Sequence, residues 1–356
     1  MKNIGSRFFA LVQAMAPGNF AMVMSTGIIS VALSRLGCPW GAWLFHGVNA
    51  VVYAVLWGLL LLRVIRYPRS VAADFGSHFR GPTFLTIVAG TCIFGTQCAA
   101  LAHSPGVAST LFWLGAVGWA CLLWGIFFAI FTRLPKPALS CGINGAWLLA
   151  TVSTEALVTL GATLGAPPGW DAELVYFCLC ALFSLGVVLY LLVITAIFLR
   201  FSSADMKAAD LDPTYWINAS AAGAAALAGT ALMSHAGASH VLDLCLPYVT
   251  GITLLAWATA SWWVPTLILL GIWRHCIQRY PFAYTPAFWS IVFPLGMYTA
   301  STAALAVTFE VPRLMAVPRV FIVVSLAAWA ATLGGLARSR GRALFKGARL
   351  PARRKC

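Results

Sequence analysis

Charged side chains are the scarcest feature of this 356-residue chain, since only 9% of its residues are Asp, Glu, Lys or Arg. Soluble domains carry about 25%, so the composition excludes a water-soluble globular protein. Hydrophobic residues make up 61% of the chain, and apolar runs of about 20 residues, the length that crosses a bilayer, recur along all of it. We therefore predict an all-α polytopic membrane protein with no soluble domain between its spans.

Catalytic and metal-binding motifs are also lacking. The sequence contains no Walker loop, no Rossmann glycine pattern, no nucleophile elbow and no His-Glu-x-x-His. The ten cysteines include no Cys-x-x-Cys. His235, His240 and Asp243 share one loop without rigid ligand spacing, and we interpret them as solvated loop residues. We expect no enzyme, no cofactor and no metal site.

Ten spans are predicted, at about 17–35, 41–64, 82–102, 108–132, 144–165, 173–199, 213–233, 243–273, 288–309 and 318–337. Because the connections are short, successive spans pair as five helical hairpins. The predicted transmembrane domain covers residues 1–337, and a basic cytoplasmic tail covers residues 338–356.

Lys and Arg fall almost entirely on one side of these spans. Of the 23, all but Arg35, Arg313 and Arg319 lie in the N-terminal segment, in loops that follow even spans or in the tail. Since positive residues accumulate in cytoplasmic loops, we predict a bacterial inner (plasma) membrane protein with both termini cytoplasmic. The net charge of +14 then follows from topology. The tail is expected to meet anionic membrane lipids rather than nucleic acid.

Odd and even spans differ in composition. Odd spans are rich in Gly, Pro, Ser and Thr, whereas even spans carry more Trp and long aliphatic residues. Small polar residues suit close packing or an aqueous lining, and bulky apolar residues suit lipid. This alternation predicts five odd helices around a central pore, encased by five even helices, as a repeat of roughly 65 residues. The path would then be lined by Ser25, Thr26, Gly27, Gly90, Phe94, Thr151, Glu155, Asn218, Gly223 and Thr299.

The ninth span contains a helix break. Phe293 directly precedes Pro294, and Gly296 follows two residues later. Proline leaves the carbonyl of Ser290 unpaired and bends the helix, and in a bilayer such a break survives only inside protein or beside a water-filled path. An aromatic ring at this point predicts a pore constriction, with Phe293, Pro294 and Gly296 as the gate. A packing kink with a core Phe is the alternative.

Glu155 is the unambiguous charge within a span. Ionisable residues inside a membrane are usually functional, and this carboxyl could bind and release a proton in step with transport. The alternative is a structural carboxyl that holds helices together. Odd spans carry no basic residue at mid-span, so hydroxyls, small-residue backbone and helix N-termini remain for an anion. Such a lining suits weak, fast permeation.

Several motifs carry a family resemblance. Residues 17–30, PGNFAMVMSTGIIS, look like the family's first helix, and residues 144–152 and 212–218 are similar to the openings of its fifth and seventh helices. Residues 262–275 and 289–299 are similar to the end of its eighth helix and to its ninth. Together these motifs resemble the tellurite-resistance/dicarboxylate transporter family, which includes slow anion channels, malate permeases and sulfite efflux pumps.

The resemblance implies a homotrimer with one pore in each protomer, an aromatic gate at Phe293 and a small inorganic or organic anion as substrate. The chain departs from the family's pattern at Glu155, where a neutral residue is more usual. Two transport hypotheses follow. The first is a gated anion channel or uniporter, and the second is a proton-coupled exporter or importer of a C4-dicarboxylate, sulfite or related oxyanion. A membrane scaffold or receptor is disfavoured because it has no use for a polar centre.

Overall fold

The computed structural model describes residues 4–138 and 142–345, which form helices and no β-strand. Among these described residues, ten segments are long and apolar enough to cross a membrane, and their bounds lie close to those predicted. The predicted all-α polytopic class is confirmed. The helices are α1 (Ile4–Gln13), α2 (Ala21–Arg35), α3 (Pro39–Arg66), α4 (Pro68–Phe75), α5 (Leu85–Ala100), α6 (Pro105–Thr132), α7 (Leu149–Leu164), α8 (Ala172–Ser203), α9 (Ile217–Met233), α10 (His240–Ile272), α11 (Trp289–Thr308) and α12 (Ala316–Phe345).

Five helices form a closed inner ring, in which α2 packs on α5, α5 on α7, α7 on α9, α9 on α11 and α11 on α2. The other long helices, α3, α6, α8, α10 and α12, form an outer layer, and each packs on the inner helix before it in the chain. In the most apolar stretch of each inner span 78–89% of the residues are buried, against 17–33% in the outer spans. The predicted division into odd inner and even outer helices is therefore confirmed.

Each inner span opens with a short 3-10 turn that starts at Pro or Gly. Proline is well tolerated there because the first N–H groups of a helix have no helical partner. Neighbouring turns contact one another around the ring, so the five inner helices run parallel. This shared feature escaped the sequence analysis, although the turns begin at intervals close to the predicted repeat. They are Pro17–Phe20, Gly81–Phe84, Gly145–Leu148, Pro213–Trp216 and Pro286–Phe288.

Four hairpins are closed by an arginine at or just past the end of the outer helix. Each arginine donates to a backbone carbonyl just ahead of the inner helix of its own hairpin, and we call these bonds the arginine clasp. The pairs are Arg63 with Gln13, Arg133 with Gly76, Arg200 with Ile143, and Arg274 with Leu211. In the fifth hairpin Tyr284, ahead of α11, packs against Gly335 of α12. We call this end of the bundle the basic face and the other end the far face.

Successive hairpins are joined by five aromatic ties, in which a Trp or Tyr of an outer helix bonds to the next inner helix. Hydrogen-bond distances range from 2.8 to 3.3 Å. Each tie gives a buried or half-buried indole or phenol a polar partner, as such groups usually require. The pairs are Tyr53 with Thr91, Trp119 with Thr154, Tyr190 with the Asn218 carbonyl, Trp257 with Thr302, and Trp329 with Thr26.

The short helices α1 and α4 were not predicted. The α4 segment is held to its neighbours by Asp74, which pairs with Arg63 at 2.5 Å and with Arg80 at 2.8 Å. Helix α12 continues to Phe345, so the predicted tail of residues 338–356 begins as helix. Its remainder, residues 346–356, lies outside the described residues.

Candidate functional site

A small cavity of about 20 Å³ lies at the centre of the inner ring, and all five inner helices contribute to its wall. Residues three apart on a helix share one face, so the wall consists of two layers and a mouth. Nearest the basic face are Ile28, Ile93, Ala156, Ala224 and Met297; above them are Val31, Thr96, Thr159 and Leu227; and Arg35 lies at the end of α2.

The wall is mostly apolar, with two hydroxyls and a single charged side chain. Thr96 and Thr159 each donate to a carbonyl one turn earlier on their own helix, at 3.0 and 2.9 Å. Arg35 is the charged member. Such a wall offers a solute few polar contacts, so it suits weak binding of a small molecule.

Phe293 lies one helical turn closer to the basic face than the wall residue Met297. On each of the other inner helices, the residue one turn before a wall residue occupies the same level and the same face. These five residues, which we call the constriction layer, are at most 1% exposed. None of these five residues belongs to the cavity wall, and Phe293 is the largest side chain among them. Its members are Met24, Ala89, Val152, Ser220 and Phe293.

The other two predicted gate residues lie beside this layer. Pro294 is buried inside α11. Gly296 is in close contact with α2, because a Cβ at this position would lie only 2.7 Å from Cγ2 of Ile28 and 3.3 Å from Cγ1 of Ile29. The absence of a side chain at Gly296 is therefore what lets α11 approach α2 next to Phe293.

The predicted lining residues lie on the inner helices but outside the cavity wall. Gly27, Glu155 and Gly223 each precede a wall residue directly, and Phe94 follows one. One residue along a helix is a rotation of about 100°, which turns these positions toward neighbouring helices. These residues therefore lie on the inner helices outside the cavity wall, and their part in a transport path stays a prediction.

The surroundings of the other predicted lining residues are as follows. Thr26 belongs to an aromatic tie, as does the carbonyl of Asn218. Among the described residues, the Thr151 hydroxyl and the Asn218 side-chain amide have no hydrogen-bond partner. Ser25 donates to the Trp289 carbonyl, Gly27 faces Ile93 and Asn49, Gly90 faces Val23, Phe94 stacks on His46, Gly223 faces Met297, and Thr299 donates to the Leu295 carbonyl.

The Glu155 side chain points to the outer layer. A Cβ built on Gly186 of α8 would lie 2.2 Å from Oε1 of Glu155 and 2.7 Å from its Cδ, so the carboxyl packs directly on Gly186. Glu155 is 0% exposed, and neither carboxyl oxygen has a hydrogen-bond partner among the described residues. An unpartnered buried carboxyl is costly, and it lies behind the wall residue Ala156 rather than on the wall.

The wall residues themselves were missed because no polar stripe marks them. Ile28, Ile93 and Met297 read as ordinary core residues, and Arg35 reads as a loop charge at the end of the first span. Their positions relative to the opening turns could have identified them. When the five inner spans are aligned on these turns, the wall residues fall at nearly equivalent positions.

Comparison with known proteins agrees with this architecture. The family model described as voltage-dependent anion channel matches residues 14–337. Two uncharacterized transporters of Methanocaldococcus jannaschii are 22% and 21% identical to the chain over 302 and 294 residues, covering 82% and 80% of it and 84% and 82% of their own lengths. An uncharacterized membrane protein of Mycobacterium tuberculosis is 31% identical over 144 residues, 40% of this chain and 73% of its own.

The family match runs from just before the first inner helix to the end of the last span, and it includes every wall residue of the cavity. The predicted resemblance is confirmed: the chain belongs to the voltage-dependent anion channel family, which indicates anion transport across a membrane.

Proposed function

We propose that the protein is a gated anion channel or uniporter whose path follows the axis of the inner ring and is closed at Phe293. The observation that supports this most directly is that Phe293, one helical turn below the wall residue Met297, is 1% exposed and is the largest side chain of the constriction layer. Hydrophobic constrictions stop ions by excluding water. Ala89 and Ser220 are small, so the phenyl ring supplies much of the closure.

The test is the conductance of Phe293→Ala in planar bilayers. Truncation removes the ring from the constriction layer, and we expect anion conductance to rise. Phe128→Ala is the matched control, because it removes the same ring from an outer helix where Phe128 is 71% exposed. Wild-type conductance in Phe293→Ala would overturn the proposal, as would an equal rise in both variants.

A second function is favoured by the unpartnered carboxyl of Glu155. In this alternative the protein is a proton-coupled exporter or importer of a C4-dicarboxylate, sulfite or related oxyanion, and Glu155 takes up and releases the proton. Ala156, the next residue on α7, belongs to the cavity wall. A shift of α7 when Glu155 is protonated therefore moves the wall of the path.

Anion flux into proteoliposomes, with and without a pH gradient, tests this alternative. Glu155→Gln keeps the shape of the side chain but cannot titrate, so it should lose the response to the gradient. Glu310→Gln, at an exposed position after α11, should keep the response. If Glu155→Gln responds like the wild type, proton coupling through this residue is refuted.

We also propose that the basic face is cytoplasmic, that the protein lies in the bacterial inner membrane and that it assembles as a homotrimer. The distribution of Lys and Arg supports the orientation. Closure of the inner ring within one chain supports one path in each protomer. Accessibility of a terminal tag in sealed vesicles and the mass of the detergent-solubilised protein test these points.

A further inference from the structure

Arg35 stands at the mouth of the central cavity, on the side away from Phe293. It is the last residue of α2 and belongs to the cavity wall. Ile28 and Val31 of the same helix are buried deeper in the wall, whereas Arg35 is exposed. Residues at positions i, i+3 and i+7 follow one helix face, so the stripe that lines the cavity ends in a guanidinium group at its opening.

The charge of Arg35 is not neutralised by a carboxylate in the part of the chain that the structure describes. Both ion pairs found there involve Asp74 at the basic face. Carboxylates of the far face are engaged elsewhere, since they accept hydrogen bonds from backbone N–H groups near the starts of α8 and α10. These are Asp171, Glu173 and Asp243. Glu310 lies after α11, outside the cavity wall.

We propose that Arg35 recruits anions to the cavity and sets its preference for anions over cations, an inference that rests on the transport path proposed above. A cation at the opening of a cleft with low-dielectric walls concentrates anions there and repels cations. The other wall residues carry no charge, so discrimination by charge depends on this side chain. Its place at the mouth lets it attract an anion without holding it at the constriction.

The size of the effect follows from Coulomb's law. Two unit charges about 4 Å apart in bulk water attract by about 1 kcal/mol, which corresponds to roughly a fivefold change in occupancy. Salt weakens this attraction, since the screening length falls from about 10 Å at 0.1 M to about 3 Å at 1 M ionic strength. The contribution of Arg35 should therefore be large in dilute salt and small in concentrated salt.

The experiment measures initial chloride flux into proteoliposomes against chloride concentration, at low and at high ionic strength set by a bulky organic salt. At low ionic strength Arg35→Gln should raise the half-saturating chloride concentration about fivefold and leave the maximal flux near the wild-type value. Arg35→Lys keeps the charge and should restore the wild-type curve. Arg313→Gln removes one exposed charge of the far face from a position outside the wall and should have no effect.

Two results would overturn the inference while leaving the proposed function intact. One is a wild-type chloride curve for Arg35→Gln in a preparation whose wild type carries chloride. The other is an equal shift in Arg313→Gln, which would make the effect one of general surface charge. If wild-type protein carries neither chloride nor nitrate, the proposed function fails and this inference fails with it. Melting temperatures of all variants in detergent check that each is folded.

Discussion

The substitution Gly186→Ala, which adds a methyl group, tests how the buried carboxyl of Glu155 packs. The Cβ of Gly186→Ala would lie 2.2 Å from Oε1, 2.7 Å from Cδ and 3.1 Å from Cγ of Glu155. Favourable contacts between heavy atoms lie at about 3.5–4.0 Å, so the carboxyl must retreat by about 1 Å or α7 and α8 must separate. Overpacking of this kind costs about 1–3 kcal/mol.

A double-mutant cycle isolates this clash. In Glu155→Ala the three atoms closest to the added Cβ are absent, so the cost of Gly186→Ala should fall. We expect a coupling free energy of about 1–3 kcal/mol, with the double variant more stable than the sum of the single effects. Reversible denaturant unfolding in detergent, followed by tryptophan fluorescence, measures each free energy of unfolding.

The control for the cycle is Gly251→Ala on outer helix α10, where an added Cβ meets nothing within 4 Å. That variant should gain up to about 1 kcal/mol, because alanine is the better helix former, and it should show no coupling to Glu155→Ala. Effects at positions 155 and 186 that add within about 0.5 kcal/mol would refute the reasoning, since they would mean that the carboxyl does not rest on Gly186.

Three further predictions concern the ring. Thr154→Val removes the acceptor for Trp119, 2.8 Å away, and should lower the free energy of unfolding by about 0.6–1.7 kcal/mol; an unchanged denaturation midpoint would contradict this. Arg200→Met breaks one clasp bond, a charged hydrogen bond worth about 1.5–3 kcal/mol, and should lower the melting temperature without changing anion preference in flux assays. Gly296→Ala places a Cβ 2.7 Å from Ile28, and should both lower stability by about 1–3 kcal/mol and alter single-channel conductance; a variant normal in both would show that α11 can move away from α2 freely.

The sequence was sufficient for the number of spans, their pairing and the division into two layers, because lipid and a packed ring demand different side chains. Trp43, Trp113 and Phe128 of outer helices are indeed exposed. The faces of the inner helices could not be predicted in this way. An inner helix is buried on every side, so no amphipathic stripe tells the cavity face from the packed one.

The hydrogen-bond partners of polar residues on the inner helices could not be predicted for a related reason. Thr26 was predicted to line the path, yet its hydroxyl, like that of Thr154, accepts a hydrogen bond from an indole group of the outer layer. This partner is present only once the helices have assembled. Glu155 likewise faces Gly186, on the outer helix of its own hairpin. Phe293, the proposed gate residue, is different, because Pro294 and Gly296 beside it on the chain made the position distinctive.

The arginines of the clasp act at two stages, first during membrane insertion and then in the packing of each hairpin. While the hairpins enter the membrane, the positive charges of Arg63, Arg133, Arg200 and Arg274 bias their orientation. Once a hairpin is inserted, the same side chain reaches a carbonyl only 50–63 residues earlier. Each of the first four hairpins can thus form its clasp bond as soon as its outer helix has inserted. The ring then assembles from preformed hairpins, and it closes when α11 packs between α9 and α2.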